Sequence, residues 1–306
     1  MTKKVVAIVG PTASGKTSLS IEIAKRFNGE IVSFDSMQVY KYMNIGTAKP
    51  TEEEKEGIPH YMIDEVEPTE PLNVVDFTAK AKGHIEDILD KGKLPVLVGG
   101  TGLYVDAIVN NTEFSESKRD DEYRESLMKL AEEKGNAYVH EMLKEIDIDA
   151  YNSIHENNIR RVIRALEVYH TTGKTFTQSN IDSKRDREYD VLFLGLDMDR
   201  ETLYERINRR VDIMLDEGLV DEVKSIMEMN LGRDSTAMQA IGYKEIIEWL
   251  EGRVSFEEAV ETLKMESRRY AKRQLTWFRR NKEINWLDYK NAVALGIELT
   301  EKFLGE

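Results

Sequence analysis

The stretch Gly10-Pro11-Thr12-Ala13-Ser14-Gly15-Lys16-Thr17 follows the apolar run 5–9 and precedes a segment with a helical pattern. An apolar strand, a G-x-x-x-x-G-K-[ST] loop and a helix N-terminus in this order are typical of a phosphate-binding loop. The glycines allow the backbone to wrap around an anion, and the helix dipole adds positive potential. Lys16 can neutralise a terminal phosphate, and the Thr17 hydroxyl can ligate Mg²⁺. The sequence therefore predicts a polyphosphate site.

The sequence around this loop predicts an α/β fold. The predicted elements of the first third are strand 4–9, helix 16–27, strand 30–34, helix 75–91 and strand 95–98. This alternation is typical of a parallel sheet with crossover helices. Ligands of such sheets bind outside the carboxyl ends of the strands. We therefore expect the phosphate loop, Asp35-Ser36 and the turn 99–102 to line one cleft.

The middle of the chain has a different character. Helical patterns at 122–135, 137–146 and 158–173 come without a strand pattern, and 189–198 then predicts a strand that rejoins the sheet. Further helices are predicted at 200–217, 220–229, 243–251 and 255–280. We therefore predict a P-loop NTPase-like parallel sheet flanked by helices. This catalytic core comprises 1–112 and 189–306, and an all-helical insertion domain occupies 113–188.

The composition predicts a soluble, cytoplasmic protein. The chain of 306 residues has no cysteine, which excludes disulfides, thiolate zinc sites and a cysteine nucleophile. Its histidines are scattered without metal-ligand spacing. No apolar stretch approaches the roughly 20 residues that a membrane span needs. The sequence enters its first predicted strand almost at once, which leaves no room for a signal peptide.

The charge of the chain is unevenly distributed. A formal net charge of −14 argues against nucleic-acid binding, but local clusters decide what a surface binds. Segment 264–282 has eight basic residues and a single acid, Glu266. Arg160, Arg161 and Arg164 form a smaller cluster. From the residues alone, each cluster is either a solvated helix face or a nucleic-acid surface.

Asp35 ends the second predicted strand beside the phosphate loop, where a carboxylate is placed for Mg²⁺ ligation or general-base catalysis. The position favours such a role over the alternative, in which Asp35 caps the start of a helix. A nucleotide-hydrolysing enzyme normally carries a strand that ends in an Mg²⁺-binding Asp. The strand at 94–98 ends instead in Gly99-Gly100-Thr101, and the chain has no N-K-x-D motif.

An ordered set of motifs extends over nearly the whole chain. The motifs are the phosphate loop, DSMQVY at 35–40, IGTAKP at 45–50, VGGTGLY at 98–104, NIRRVIRALEV at 158–168, AIGYKE at 240–245 and KRQLTWFR at 272–279. In this combination the sequence resembles the bacterial tRNA dimethylallyltransferases, also called tRNA isopentenyltransferases. Members of that family transfer a dimethylallyl group from dimethylallyl diphosphate to N6 of the adenosine 3′ of the tRNA anticodon.

The resemblance implies a role for each group of candidate site residues. The phosphate loop would hold the isoprenoid diphosphate with Mg²⁺, bound through Thr17, and Asp35 would be the general base. The implied diphosphate contacts are Gly10, Pro11, Thr12, Ala13, Ser14, Gly15, Lys16, Thr17 and Arg210. The implied catalytic residues are Asp35, Thr17, Lys16 and Arg210. The implied tRNA contacts are Asp35, Ser36, Met37, Gln38, Thr101, Arg124, Ile159, Arg160, Arg161, Val162, Ile163, Lys272 and Arg273.

The resemblance also implies that the helical insertion grips the anticodon stem-loop and that the partners are tRNA and dimethylallyl diphosphate, with the protein acting as a monomer. Trp277 and Phe278, on an otherwise basic helix, are predicted to belong to the core rather than to stack on bases. Two other activities remain open at this point: an isopentenyltransferase that acts on free AMP, ADP or ATP, and a small-molecule P-loop kinase. A catalytically silent RNA-binding protein is disfavoured because Lys16, Thr17, Asp35 and Arg210 are all present.

Overall fold

The computed structural model describes residues 3–111, 119–182, 186–233 and 235–305. The chain divides into two compact units. The first comprises Met1–Val109 and Arg187–Glu306, and the second comprises Asn110–Asp186. The predicted boundary between residues 112 and 113 lies outside the described residues.

The first unit is built on a six-stranded parallel sheet in the order β3-β2-β4-β1-β5-β6. The strands are β1 (Lys3–Val9), β2 (Gly29–Ser33), β3 (His60–Tyr61), β4 (Leu94–Gly99), β5 (Tyr189–Asp197) and β6 (Asn285–Asp288). The predicted α/β fold with a parallel sheet is therefore confirmed. The short strands β3 and β6 were not predicted from the sequence.

Helices surround the sheet and make up the described part of the second unit. Before the second unit come α1 (Lys16–Arg26), α2 (Glu52–Lys55), α3 (Val74–Asp90) and α4 (Gly102–Val109). The second unit contains α5 (Asp121–Lys134), α6 (Asn136–Ile146), α7 (Ile148–Ser153), α8 (Ile159–Thr172) and α9 (Phe176–Asp182). The chain ends with α10 (Arg200–Asp216), α11 (Leu219–Glu228), α12 (Tyr243–Leu250), α13 (Phe256–Phe278) and α14 (Ala292–Leu304).

β1 reads as a continuous apolar run because both of its faces are buried. Val6 and Ile8 join the core formed with α1 and α14. The alternate residues Val5, Ala7 and Val9 join the larger core on the opposite face of the sheet. Neighbours on both sides, β4 and β5, pair with β1 in parallel, so the phosphate loop begins at the centre of the carboxyl edge.

The second unit has its own apolar core, to which Leu127, Val139 and Leu166 contribute. Glu167 is a fully buried polar residue of this unit and accepts hydrogen bonds from Arg124 Nε (2.7 Å) and Arg164 Nη1 (2.5 Å). Burial by itself would raise the pKa of Glu167, but these hydrogen bonds outweigh it and hold the pKa at about 2. The Glu167 carboxylate is therefore interior, whereas the side chains of Arg124 and Arg164 are 32% and 35% exposed.

No helix within the described ranges has the length and apolar character that crossing a membrane requires.

Candidate active site

The phosphate loop adopts backbone angles that favour glycine at two positions. Gly10 has φ +150° and Gly15, directly before α1, has φ +98°, both outside the range that other residues prefer. A Cβ atom at Gly10 would also lie 3.2 Å from the Ser14 hydroxyl. That hydroxyl is buried and has no hydrogen-bond partner among the described residues. Thr17, in contrast, is exposed in the first turn of α1.

Lys16 lies near two charged residues, Asp35 and Arg210, that the family resemblance implies for the same site. Its ammonium group donates a hydrogen bond to the Pro11 carbonyl at 2.7 Å. Burial and the positive charge of Arg210 lower the pKa of Lys16 to about 8, and Asp35 acts in the opposite direction. Lys16, Arg210 and Asp35 are therefore close enough to interact electrostatically, although they are far apart in the sequence.

Arg210 extends from α10, and its Nη2 atom lies 3.5 Å from the Ala48 carbonyl oxygen. Burial lowers its pKa, while Glu54, Asp35 and Glu217 act to raise it. Arg210 and Lys16 are thus two partly desolvated cations that repel each other. An anion that binds between two such cations removes this repulsion, so the arrangement is suited to a diphosphate.

Asp35 follows β2 and forms the turn that continues the chain. Its Oδ1 atom accepts hydrogen bonds from the N–H groups of Met37 (2.9 Å) and Gln38 (3.4 Å). The alternative role as a helix N-cap is wrong, because residues 36–39 form a turn and the next helix, α2, begins at Glu52. Both bonds use a single carboxylate oxygen, so stabilising this turn and accepting a proton are compatible.

The segment after Asp35 is tied to the turn after β4. The Ser36 N–H donates to Thr101 Oγ1 at 3.3 Å. Gln38 donates from Nε2 to the carbonyls of Thr47 (3.3 Å) and Ala48 (3.1 Å). The predicted convergence of the strand-end turns is thus observed for Asp35-Ser36 and 99–102.

Gln274 on α13 connects the phosphate loop to that turn, a contact that the sequence did not reveal. Its Oε1 atom accepts from the Thr12 N–H at 2.9 Å, and its Nε2 atom donates to the Gly100 carbonyl at 3.0 Å. The side chain is 4% exposed. Gly100 has no room for a side chain, because a Cβ atom there would lie 2.0 Å from Gln274 Nε2.

Two tyrosines that the sequence analysis did not single out lie near Asp35. Burial raises the pKa of Tyr104 to about 12, and the charges of Tyr40 and Asp35 add to the shift. Burial and the Asp35 carboxylate likewise raise the pKa of Tyr270 to about 12. Both hydroxyls are therefore protonated at neutral pH and add no charge near Asp35.

The basic segment of α13 is partly paired within the protein. Lys264 pairs with Asp212 at 2.7 Å, and Arg269 pairs with Glu266 at 2.6 Å. Further along the helix, Lys272 and Arg273 are exposed. Within the predicted basic cluster, Lys272 and Arg273, which directly precede Gln274 in the sequence, are therefore candidates for binding an external anion.

The aromatic pair at the end of α13 divides between core and surface. Phe278 is buried, as predicted. Trp277 is 36% exposed, packs over Gly102 and donates from Nε1 to Asp106 Oδ2 at 2.8 Å. The prediction of a core position for Trp277 is therefore wrong, because more than a third of the residue is exposed.

The second unit places its candidate tRNA contacts in two environments. Arg160 and Arg161 are exposed on α8, and Ile159 is half-buried. Val162 and Ile163 lie in the core of the unit, so their side chains cannot reach a nucleic acid, and we drop them as side-chain contacts. Arg124 is bound through Nε and Nη2 by Glu167, at 2.7 and 2.8 Å, which favours a structural role for it.

Metal ligands are sparse: the described residues contain no group of three or more His, Cys, Asp or Glu side chains that could hold a metal ion. A metal at the phosphate loop would therefore depend mainly on hydroxyl and ligand oxygens.

Comparison with known protein families gives a match over most of the chain. The family model described as IPP transferase matches residues 38–281. A second model, described as isopentenyl transferase, matches residues 3–72.

Individual relatives agree with these matches. The chain is 54% identical over 285 residues to a tRNA dimethylallyltransferase of Acetivibrio thermocellus, covering 93% of this chain and 91% of the relative. It is 52% identical over 286 residues to a tRNA dimethylallyltransferase of Bacillus anthracis, covering 94% and 91% of the two chains.

Solved structures are similar over almost the whole chain. The tRNA isopentenylpyrophosphate transferase of Bacillus halodurans has a TM-score of 0.73 at 45% identity and covers 99% of this chain and 100% of that one. A eukaryotic dimethylallyltransferase acting on tRNA has a TM-score of 0.84 at 33% identity, covering 99% of this chain and 79% of its own.

Proposed function

This chain belongs to the IPP transferase family, and we propose that it transfers a dimethylallyl group from dimethylallyl diphosphate to N6 of the adenosine 3′-adjacent to the anticodon (adenosine-37) in tRNA. The observation that carries the proposal is that Lys16, after β1, and Asp35, after β2, lie at the carboxyl edge of the sheet within electrostatic range of Arg210, which reaches the Ala48 carbonyl from α10. Two cations that attract a diphosphate lie there beside a carboxylate that can accept a proton. Relatives and structural neighbours of the tRNA-modifying type support this acceptor.

The acceptor amine needs a base, because the lone pair of N6 is delocalised into the adenine ring. In the proposed reaction, N6 attacks the allylic carbon, the bond between that carbon and the diphosphate oxygen breaks, and the N6 proton passes to the Asp35 carboxylate. The hydrogen bonds from Met37 and Gln38 to Oδ1 orient this carboxylate. General-base assistance of this kind typically contributes about 10²–10⁴-fold in rate.

The leaving diphosphate gathers negative charge as the carbon–oxygen bond breaks. Lys16, Arg210 and the amides of the phosphate loop offer positive charge and N–H donors to that group. Charges that are fixed in place before the reaction stabilise the transition state most effectively. The Thr12 amide is already bonded to Gln274, so we assign it to loop geometry rather than to diphosphate binding.

Mg²⁺ fits the donors that the loop provides. Mg²⁺ usually keeps several waters and binds through a few protein oxygens together with substrate phosphates. The exposed Thr17 hydroxyl would hold it, and the buried, unpartnered Ser14 hydroxyl supports the presence of a polar ligand in the loop. When bound, the ion would neutralise charge on the diphosphate.

The tRNA would contact residues on both units. Met37 and Gln38 are hydrogen-bonded to Asp35, and Ser36 is hydrogen-bonded to Thr101. We propose that an extruded adenine binds beside these residues. The exposed pairs Lys272–Arg273 and Arg160–Arg161 would bind backbone phosphates, with Ile159 beside the latter pair. We propose that the second unit grips the anticodon stem-loop.

The proposal is tested by transfer of radiolabel from dimethylallyl diphosphate, with unmodified tRNA, AMP and ATP as acceptors in parallel. We expect label on tRNA alone, and loss of transfer in an Asp35→Asn variant that retains diphosphate binding. Label on AMP or ATP would establish the free-nucleotide activity instead. Consumption of ATP without transfer of label would indicate a kinase.

We further propose that the protein acts as a monomer in the cytoplasm. Gel filtration with light scattering, with and without tRNA, tests the first point. A dimer in the absence of tRNA would contradict it.

A further inference from the structure

Glu222 on α11 binds a continuous stretch of backbone in the loop 44–46. Its Oε2 atom accepts from the N–H groups of Asn44 and Ile45, both at 2.8 Å. Its Oε1 atom accepts from the Gly46 N–H at 2.9 Å and from the Tyr243 hydroxyl at 2.6 Å. Hydrogen bonds to an ionised acceptor are about twice as strong as neutral ones. A single carboxylate thus fixes three consecutive peptide groups.

The next two residues, Thr47 and Ala48, extend this loop to 44–48 and present their carbonyl oxygens to the active site. The Ala48 carbonyl accepts from Gln38 Nε2 at 3.1 Å and lies 3.5 Å from Arg210 Nη2. The Thr47 carbonyl is a second acceptor for Gln38, at 3.3 Å. Glu222 therefore binds the N–H groups of residues 44–46, while the carbonyls of Thr47 and Ala48 face Gln38 and Arg210.

Close packing and a buried lysine also restrict the conformation of this loop, so it has little room to form replacement contacts if Glu222 is removed. Gly46 packs so closely on the Tyr243 ring that a Cβ atom would lie 2.5 Å from it. Lys49, with a side chain that is 5% exposed, donates to the Tyr40 carbonyl and to Asn44 Oδ1 at 3.0 Å. Glu222, the Tyr243 ring and the Lys49 ammonium group therefore all contact this loop.

We infer that Glu222 is a positioning residue that holds Arg210 and Gln38 in place through the backbone of the loop 44–48. This inference rests on the proposed function, in which Arg210 binds the diphosphate and Gln38 faces the acceptor base. It also gives a role to the IGTAKP and AIGYKE motifs, since Gly46 and Tyr243 both contact Glu222 or its loop.

The first test is the affinity of the Glu222→Ala variant for inorganic diphosphate, measured by calorimetry. Loss of the loop anchor should weaken this affinity about tenfold, a change equivalent to one hydrogen bond. Asp221→Ala is the matched control, because Asp221 is the preceding residue of α11, is 84% exposed and pairs only with Lys224 in the described structure. It should leave the affinity unchanged. Equal affinities in Glu222→Ala and the control would overturn the inference.

A double-mutant cycle separates positioning from general stability. If Glu222 acts through Arg210, Glu222→Ala should weaken diphosphate binding less than about twofold once Arg210 is already Ala, since residues in one network are not additive. A full, additive loss in the Arg210→Ala background would reject the route through Arg210. Thermal unfolding of all four proteins identifies any variant that is not folded.

A conservative variant protects the test against misfolding. Glu222→Gln keeps the length of the side chain and one carbonyl acceptor, but places an amide NH₂ group against backbone N–H donors. We expect an intermediate loss of diphosphate affinity and a rise in KM for dimethylallyl diphosphate. Unchanged affinity and KM together with a lowered Tm would reduce Glu222 to a structural residue.

Direct binding of inorganic diphosphate also keeps the two proposals distinguishable. If the wild-type protein transferred no label to tRNA while the cycle still showed coupling between Glu222 and Arg210, the tRNA activity would fail and the positioning role would stand.

Discussion

The Oε1 atom of Gln274 lies 2.9 Å from the backbone nitrogen of Thr12, although the two residues are 262 positions apart in the sequence. Through this bond, the helix α13 holds the first turn of the phosphate loop. The same side chain binds the Gly100 carbonyl. One buried amide therefore fixes two of the strand-end turns that form the site.

Replacing Gln274 by Ala should weaken both stability and diphosphate binding. The substitution leaves the Thr12 N–H and the Gly100 carbonyl without their partner, and an unsatisfied buried polar group costs about 1–3 kcal/mol. Thr276→Ala, on the exposed face of the same helix, is the control. Urea unfolding and calorimetric titration with inorganic diphosphate measure the two effects. Wild-type values in both would contradict a role for Gln274 in shaping the loop.

Asp35→Asn should abolish most turnover and leave binding nearly intact. The Asn carbonyl can still accept from Met37 and Gln38, so the turn is preserved, but the side chain no longer takes the N6 proton. We expect kcat to fall about 10²–10⁴-fold, with tRNA and diphosphate affinities within a few-fold of the wild type. Single-turnover transfer of label measures this. A kcat close to that of the wild type would exclude Asp35 as the base.

Diphosphate binding should depend on the protonation of Lys16. Its pKa of about 8 means that Lys16 loses its positive charge as the pH rises through that value. The protonated form binds an anion better, so affinity should fall between about pH 7 and pH 9 and binding should take up protons. Lys16→Arg is the control, because arginine does not titrate in this range. An identical pH dependence in both proteins would assign the titration to the ligand alone.

Lys272→Glu together with Arg273→Glu should weaken tRNA binding and flatten its dependence on salt. Each phosphate contact that is lost reduces the number of counterions released on binding. Lys80→Glu with Lys302→Glu makes the same change in net charge at exposed positions on α3 and α14. Filter binding at several salt concentrations compares the two variants. Equal slopes would return Lys272 and Arg273 to an ordinary solvated surface.

Arg124→Ala should destabilise the protein and leave diphosphate affinity unchanged. The change removes two hydrogen bonds from the buried Glu167 carboxylate, which costs about 1.5–3 kcal/mol for bonds to a charged group. Because the pKa of Glu167 is held at about 2, below the 4.5 of an ordinary Glu, its stabilising contribution is complete above pH 4.5 and is lost as the pH falls towards 2. Arg160→Ala, at an exposed position, should change neither the stability of the protein nor the dependence of that stability on pH.

Thermal unfolding of the Arg124→Ala variant as a function of pH measures this contribution. A variant with wild-type Tm but weakened tRNA binding would show that Arg124 contacts the nucleic acid after all.

The sequence predicted the elements that depend on local pattern. β1, β2, β4 and β5 are apolar runs bounded by turns, and their ends were correct to within about a residue. α4 was missed because its residues are apolar on nearly every side and show no helical period. β3, with only two residues, is too short for any alternation to be visible.

Contacts between distant segments were the part that sequence could not predict. Lys16 and Asp35 lie at strand ends, so their meeting follows from topology. The bonds from Gln274 to Thr12 and from Glu222 to the loop 44–46 depend on how α11 and α13 pack. Val162 is buried because it lies on the inner face of α8. The neighbouring arginines made this helix look basic, so its apolar face was not recognised from the sequence.

β1 pairs on one side with β4 and on the other with β5, in register from Lys3 opposite Tyr189 to Val9 opposite Gly195. During synthesis from the N-terminus, the strand that carries the phosphate loop therefore has an open edge until the ribosome has passed residue 189. The second unit, Asn110–Asp186, draws its core from one contiguous stretch and is complete before then. Because domains generally fold as units during synthesis, with N-terminal ones first, we expect this unit to fold before β5 covers the open edge of β1. Arg210 and Gln274, and after them β6 and α14, emerge only later.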